Sequence, residues 1–80
     1  MTVEELGQLI QVQVQGAEVF ARDLTGEGNH FEAVIVSESF SGRGRLERQR
    51  LVMGALAKQL EGPLHALTIK TYTPEEWEKV

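Results

Sequence analysis

The 80-residue sequence contains no cysteine, which excludes disulfides, a cysteine nucleophile and a self-contained thiolate metal site. It fits a reducing compartment. No apolar run approaches the roughly 18 residues that a membrane span needs. Residues 1–5 are acidic rather than basic, unlike a signal or transit peptide. These absences predict a cytoplasmic protein that does not enter a membrane.

Few side chains suit catalysis. The chain has two histidines, and its serines at positions 37, 39 and 41 lie in or near a predicted turn, where local hydrogen bonding explains them. The pair Gly26 and Gly28 opens no helix, so it does not indicate a phosphate-binding loop. Because no set of reactive groups converges, we expect a protein that is not an enzyme.

The charge is low and unevenly distributed. A formal net charge of −4 is unlike that of a strongly basic nucleic-acid binder. Half of the eight basic residues nevertheless fall in one short window, at Arg43, Arg45, Arg48 and Arg50. This cluster is interpreted either as a binding face for an acidic partner or phosphates, or as a solvated helix start with local ion pairs, for example to Glu47.

The first half of the chain predicts a helix and a hairpin. Thr2 and Glu5 form a capping-box pattern, and apolar spacing predicts a helix over residues 3–13. Alternation predicts strands over 17–24 and 30–37, with a turn between them in which two glycines take positive φ.

The second half predicts a helix, a strand and a short helix. The first helix runs from about Leu46 to Leu60, with a buried stripe at positions 52, 56 and 60, and ends at Gly62 in a left-handed conformation. A strand follows over 64–72. The sequence from Thr73 to Glu76 then opens the last helix with a second capping box, and Trp77 is predicted to pin that helix to the sheet as a core residue.

The element order αββαβα defines the fold class. The second predicted strand, its helix and the third strand form a crossover, so these two strands should be parallel. We therefore expect an α+β protein with a small three-stranded mixed sheet and helices packed mainly on one face. Residues 1–80 are predicted to form a single domain.

The two histidines begin two strands. If the strands starting at His30 and His65 are parallel neighbours, both imidazoles lie at the same end of the sheet. Two histidines are too few for a closed tetrahedral metal site, so any metal here would be shared at an interface. The alternative is that each histidine caps or hydrogen-bonds at its strand end.

Several segments together resemble the BolA family. They are the sequences at 40–42, 48–52, 65–66 and 73–77, and the sequence at 28–31 is similar to the IbaG-like bacterial branch. The resemblance runs from about Val3 to Trp77. It implies a fold similar to a class II KH domain, in agreement with the element order.

The resemblance also implies a function. Family members are non-enzymatic partners of monothiol glutaredoxins of the CGFS type, and a 2Fe-2S cluster is bridged between the two proteins by thiolates of glutaredoxin and glutathione and a histidine of the BolA-like protein. The matching residue is His65. Many members have a further Cys or His in the loop between the first two strands, but residues 24–29 have neither, so His30 is the substitute candidate. Gln49 replaces the central histidine of the family's Arg-His-Arg.

Two other functions remain open. The family has been described as transcriptional and stress-response regulators, and a KH-like fold with Arg43–Arg50 favours binding of DNA or RNA. The sequence lacks the GxxG loop with which KH domains hold a nucleic-acid backbone. A structural adaptor without metal is the third alternative. The chain is expected to be a monomer alone or a weak homodimer.

Overall fold

The computed structural model describes residues 1–62 and 66–80, with only the backbone at position 60. Three α-helices and three strands occur in the predicted order, and the segment expected to be irregular includes a short 3-10 helix at Glu38–Phe40. The bounds are α1 Val3–Gln13, β1 Glu18–Asp23, β2 His30–Val36, α2 Arg45–Glu61, β3 Ala66–Tyr72 and α3 Pro74–Glu78. No helix in these two ranges is long and apolar enough to cross a membrane.

Both predicted capping boxes are present. Thr2 Oγ1 accepts from the Glu5 N–H at 3.1 Å, and the Glu5 carboxylate accepts from the Thr2 N–H at 3.2 Å. Thr73 and Glu76 repeat this exchange at the start of α3, where Pro74 occupies the first turn. Each box satisfies N–H groups that have no partner inside the helix. The position of these helix starts is therefore encoded locally.

The end of α2 differs from the prediction in one respect. Gly62 does follow the last helical residue, but its φ is −123°, not the positive value of a left-handed cap. Its N–H donates to the Gln59 carbonyl at 3.1 Å, which closes the last turn tightly instead. Pro63 and Leu64, predicted to continue the stop and to begin a strand, lie outside the described residues.

The sheet has the strand order β1-β2-β3 and is mixed, as predicted. β1 pairs antiparallel with β2, from Glu18 opposite Val36 to Asp23 opposite Phe31. β3 pairs parallel with β2, from His30 opposite Ala66 to Val36 opposite Tyr72. β2 and β3 therefore both begin at one end of the sheet and both finish at the other.

The core lies between one face of the sheet and the helices α1 and α2. Alternation along β2 buries Phe31, Ala33 and Ile35 on this face. Opposite them, α1 and α2 contribute residues at helical spacing, all completely buried: Leu6, Ile10, Val52 and Leu56. Two of the three positions predicted as the stripe of α2 are thus confirmed, and the side chain of Leu60 is not described.

The short helix α3 packs on the other face of the sheet. Trp77 stacks on Phe20 with ring centroids 5.6 Å apart and contacts Tyr72 at 5.2 Å. These strand residues alternate with the ones that face the core, and Val36 on the same face is buried without belonging to the core cluster. The prediction that Trp77 pins α3 to the sheet is correct, but its assignment to the core is wrong, because α3 leaves β3 on the side away from α1 and α2.

Candidate functional site

One end of the sheet, which we call the histidine end, is where β2 and β3 begin. His30 lies opposite Ala66 in the parallel register, and the Ala66 N–H donates to the Asn29 carbonyl at 3.1 Å. Ala66 follows His65 in the chain, but His65 itself lies outside the described residues. The parallel pairing on which the shared-site prediction depends is therefore confirmed, and the role of His65 stays a prediction.

The backbone around His30 is held from both sides. The Leu24 N–H donates to the His30 carbonyl at 2.8 Å, which joins it to β1, while the neighbouring Asn29 carbonyl joins it to β3. His30 is half-buried, and the alternation of β2 places it on the face opposite to Phe31. Rigid elements on both sides are what a positioned ligand requires.

The loop beside His30 is organised by Asp23, which the sequence prediction did not single out. Asp23 Oδ1 accepts from the N–H groups of Thr25 at 3.2 Å and Gly26 at 2.9 Å, and Oδ2 accepts from Gly28 at 2.8 Å. Desolvation opposes ionisation, yet the hydrogen bonds from Gly28 and the other two N–H groups hold the pKa of Asp23 below its ordinary value. Both glycines have positive φ, as predicted. The signal for Asp23 was its position, as an aspartate two residues before a Gly-rich turn.

This end of the sheet does not supply a complete metal site by itself. In residues 1–62 and 66–80 no group of three or more His, Cys, Asp or Glu side chains is placed to hold a metal ion. The chain has two imidazoles and no thiol. Imidazoles do ligate 2Fe-2S clusters in which two histidines replace two cysteines. These residues therefore fit a cluster only as part of a ligand set completed by another molecule.

The arginine cluster is not one uniform surface. Arg48 forms two parallel hydrogen bonds to Glu76, at 2.7 and 3.2 Å, and its Nε donates to the Arg43 carbonyl at 2.9 Å. Its guanidinium carbon lies 5.7 Å from the ring centroid of Phe40, and its side chain is only 12% exposed. For Arg48, the interpretation as part of a solvated helix start with local ion pairs is therefore wrong, because its partner is in α3, 28 residues away.

Glu76 is shared between this ion pair and the cap of α3. Its Oε1 also accepts from the Thr73 N–H at 2.8 Å. The hydrogen bonds from Arg48, followed by the one from Thr73, lower the pKa of Glu76 to about 2. The carboxylate is consequently ionised at neutral pH, and it joins α2 to α3.

The other three arginines are exposed. Arg43 donates from Nε to the Ser39 carbonyl at 3.0 Å and leaves the rest of its guanidinium in solvent. Arg45 and Arg50 have no ion-pair or hydrogen-bond partner among the described residues. The predicted pair between this cluster and Glu47 is not formed. Three of the four predicted arginines can therefore still contact a partner.

The fold defines the class of protein. The chain has the α+β fold of BolA proteins: it superposes on a BolA homologue from Coxiella burnetii with a TM-score of 0.84, at 38% identity over 98% of this chain and 97% of that one. BolA1 from Arabidopsis thaliana gives 0.83, at 31% identity over 91% and 92%. A sequence model described as BolA-like protein matches residues 9–76. The chain belongs to the BolA-like family.

Characterised relatives extend the similarity. Human BolA-like protein 1 is 48% identical over 52 residues, which are 65% of this chain and 38% of that protein. The acid stress protein IbaG of Escherichia coli K12 is 40% identical over 55 residues, covering 68% and 66%. The DNA-binding transcriptional regulator BolA of the same organism is 43% identical over 53 residues, covering 66% and 50%. The chain thus spans well under half the length of the mammalian relatives it matches.

Proposed function

We propose that this protein is a cytoplasmic, non-catalytic accessory protein that binds a monothiol glutaredoxin of the CGFS type and shares a 2Fe-2S cluster with it. His65 supplies a ligand in this proposal, and His30 is the candidate for a second. Glutaredoxin and glutathione supply the thiolates, because this chain has none. Membership of the BolA-like family supports the proposal, and the name of the IbaG relative supports a link to stress.

The observation that carries the proposal is the register of β2 and β3. His30 lies directly opposite Ala66, the residue that follows His65 in the chain. His30 therefore begins β2 at the end of the sheet where β3 begins, and β3 begins with the residue that follows His65 in the sequence. An imidazole must be neutral to ligate iron, so cluster sharing is expected to weaken at acidic pH.

The test is a titration of this protein into cluster-loaded monothiol glutaredoxin, followed by visible absorption and circular dichroism. The wild type should change the visible bands, and His65→Ala should leave them as in glutaredoxin alone. Gln13→Ala, at the exposed last residue of α1, serves as the matched control and should behave as wild type. Unchanged spectra with the wild type would reject the cluster function. If the wild type changes the spectra and His65→Ala does not, a His30→Ala variant decides whether one or two ligands come from this chain.

A parallel titration with cluster-free glutaredoxin distinguishes cluster sharing from the alternative of a structural adaptor without metal. If the two proteins bind equally well with and without the cluster, the interaction does not depend on iron. Affinity that rises when the cluster is present supports shared ligation, because the ligand bonds then contribute to the complex.

The second candidate function is nucleic-acid binding, favoured by the exposed side chains of Arg43, Arg45 and Arg50 and by the name of the E. coli regulator relative. Affinity for duplex DNA should then fall steeply with salt. Removing Arg45 and Arg50 together should flatten that dependence, whereas Lys58→Gln, at the other end of α2, should not. Arg48 is unsuitable for this test because it joins α2 to α3. Affinity that is independent of salt would exclude this function.

A further inference from the structure

The outer edge of β3 has no strand beside it in the described part of the sheet. In a parallel pair, alternate residues direct their N–H and C=O groups to the neighbouring strand. The Ala66 N–H and the Tyr72 carbonyl bond toward β2, to Asn29 and Ser37 respectively. The residues between them in the opposite phase therefore direct their backbone N–H and C=O groups away from the sheet: Leu67, Ile69 and Thr71.

A cleft of about 300 Å³ lies along this edge. The first two turns of α2 contribute Arg45 and Gln49, and β3 contributes four consecutive residues, from Ile69 to Tyr72. The cleft thus follows the half of β3 that is remote from Ala66. A helix lies beside the unpaired edge of a strand here. This shape suits an extended chain rather than a compact ligand.

The charge of this edge cleft is opposite to that of the protein. Arg45 and Lys70 both line it and are exposed, and neither has an ion-pair partner among the described residues. Among the described residues no carboxylate lines the cleft, although acidic residues outnumber basic ones by 12 to 8 in the chain. The positive side chains therefore favour an acidic occupant.

We propose that the edge cleft binds an extended acidic segment of a partner protein, which adds to the sheet as a fourth strand beside β3. The outward backbone groups of residues 67, 69 and 71 pair with the segment, while its carboxylates contact Arg45 and Lys70. A lysine on an edge strand opposes pairing with a second copy of the same strand, because the like charges repel. The occupant is thus a different, acidic chain. This site is separate from the histidine end, so the proposed peptide binding does not depend on whether the protein shares a 2Fe-2S cluster.

The probe for the test is a fluorescein-labelled ten-residue peptide with alternating Val and Glu, added to the ¹⁵N-labelled full chain. Saturating peptide should shift the amide signals of Leu67, Ile69 and Thr71 and slow their hydrogen exchange. The same peptide with Lys in place of Glu, or with alternate backbone nitrogens methylated, should bind at least about tenfold more weakly, since it lacks the charge or the donors. Equal binding of all three peptides, or shifts confined to other residues, would overturn the proposal.

Two variants locate the binding. Lys70→Glu reverses a charge on an exposed strand position and should lower affinity roughly tenfold. Thr71→Pro removes only an outward N–H, so the ladder to β2 stays intact while strand addition is blocked. Lys58→Glu is the control for net charge and should have little effect. If Lys58→Glu weakens binding as much as Lys70→Glu, or if a ten-nucleotide oligo(dT) displaces the peptide at equal concentration, a specific acidic-peptide site is contradicted.

Discussion

The two ends of the sheet use their polar residues differently. At the end where β2 and β3 finish, which we call the α3 end, charged and aromatic side chains pair with one another: Arg48 with Glu76, and Trp77 with Phe20 and Tyr72. At the histidine end, Asp23 fixes a loop through backbone N–H groups, and His30 stands at a strand start held by both neighbours. A cluster of residues that suggests a binding surface, such as the arginines, can thus contain a member with a structural role.

Variants at the α3 end should therefore change stability and leave cluster sharing intact, while variants at the histidine end should do the reverse. The largest expected effect on stability is that of Trp77→Ala. It removes the ring contacts with Phe20 and Tyr72, and we expect the free energy of unfolding to fall by about 2 kcal/mol. Thermal unfolding measured by far-ultraviolet circular dichroism should show a midpoint roughly 10 °C lower. A shift below about 2 °C would mean that α3 is not fastened by Trp77.

Arg48→Ala should have the next largest effect. It removes the bidentate contact with Glu76 and the packing of the guanidinium on Phe40. The midpoint of thermal unfolding should fall by roughly 5 °C, since charge-assisted bidentate pairs are among the stronger hydrogen bonds. Arg50→Ala, two residues along the same helix and exposed, is the control and should change little. Equal effects of the two substitutions would show that Arg48 is an ordinary surface arginine.

The same pair predicts a dependence on pH. The pKa of Glu76 is lowered from 4.5 in the absence of these contacts to about 2 in the folded protein. A depressed carboxyl pKa stabilises the fold at pH values above the unfolded pKa, and the contribution is lost as the pH falls from about 4.5 toward 2. The midpoint of thermal unfolding of the wild type should therefore fall more over this pH range than the midpoint of Glu76→Gln. Parallel curves for the two proteins would contradict the ion pair.

Asp23→Asn should have the smallest effect on global stability. The amide retains one acceptor oxygen but replaces the other by a donor, so it cannot accept from both Gly26 and Gly28. We expect faster hydrogen exchange at the Gly28 amide and a midpoint lowered by no more than a few degrees. Protection of Gly28 equal to that of the wild type would show that Asp23 does not hold the loop.

Features encoded within a few residues could be predicted from the sequence. The bounds of α1, both capping boxes and the two glycines of the hairpin turn are confirmed, because their determinants are neighbours in the chain. Two features were not predicted: the pairing of Arg48 with Glu76, and the placement of Trp77 on the face of the sheet opposite to α1 and α2. Both depend on where α3 lands after the sheet has formed, and no short-range pattern encodes that position. The edge cleft was not predicted for the same reason, because it forms only where α2 lies beside β3. The position of His30 next to the start of β3, in contrast, followed from the predicted parallel pairing of the two strands.

The most direct test of the proposed function detects the ligand atom itself. This chain would be labelled with ¹⁵N only at histidine and mixed with cluster-loaded monothiol glutaredoxin, and the reduced complex would be measured by pulsed electron paramagnetic resonance. We expect a strong ¹⁵N hyperfine coupling from a histidine of this chain that disappears in His65→Ala, while that variant keeps the wild-type unfolding midpoint. A spectrum without nitrogen coupling from this chain, or one unchanged by His65→Ala, would contradict ligation of the cluster by His65.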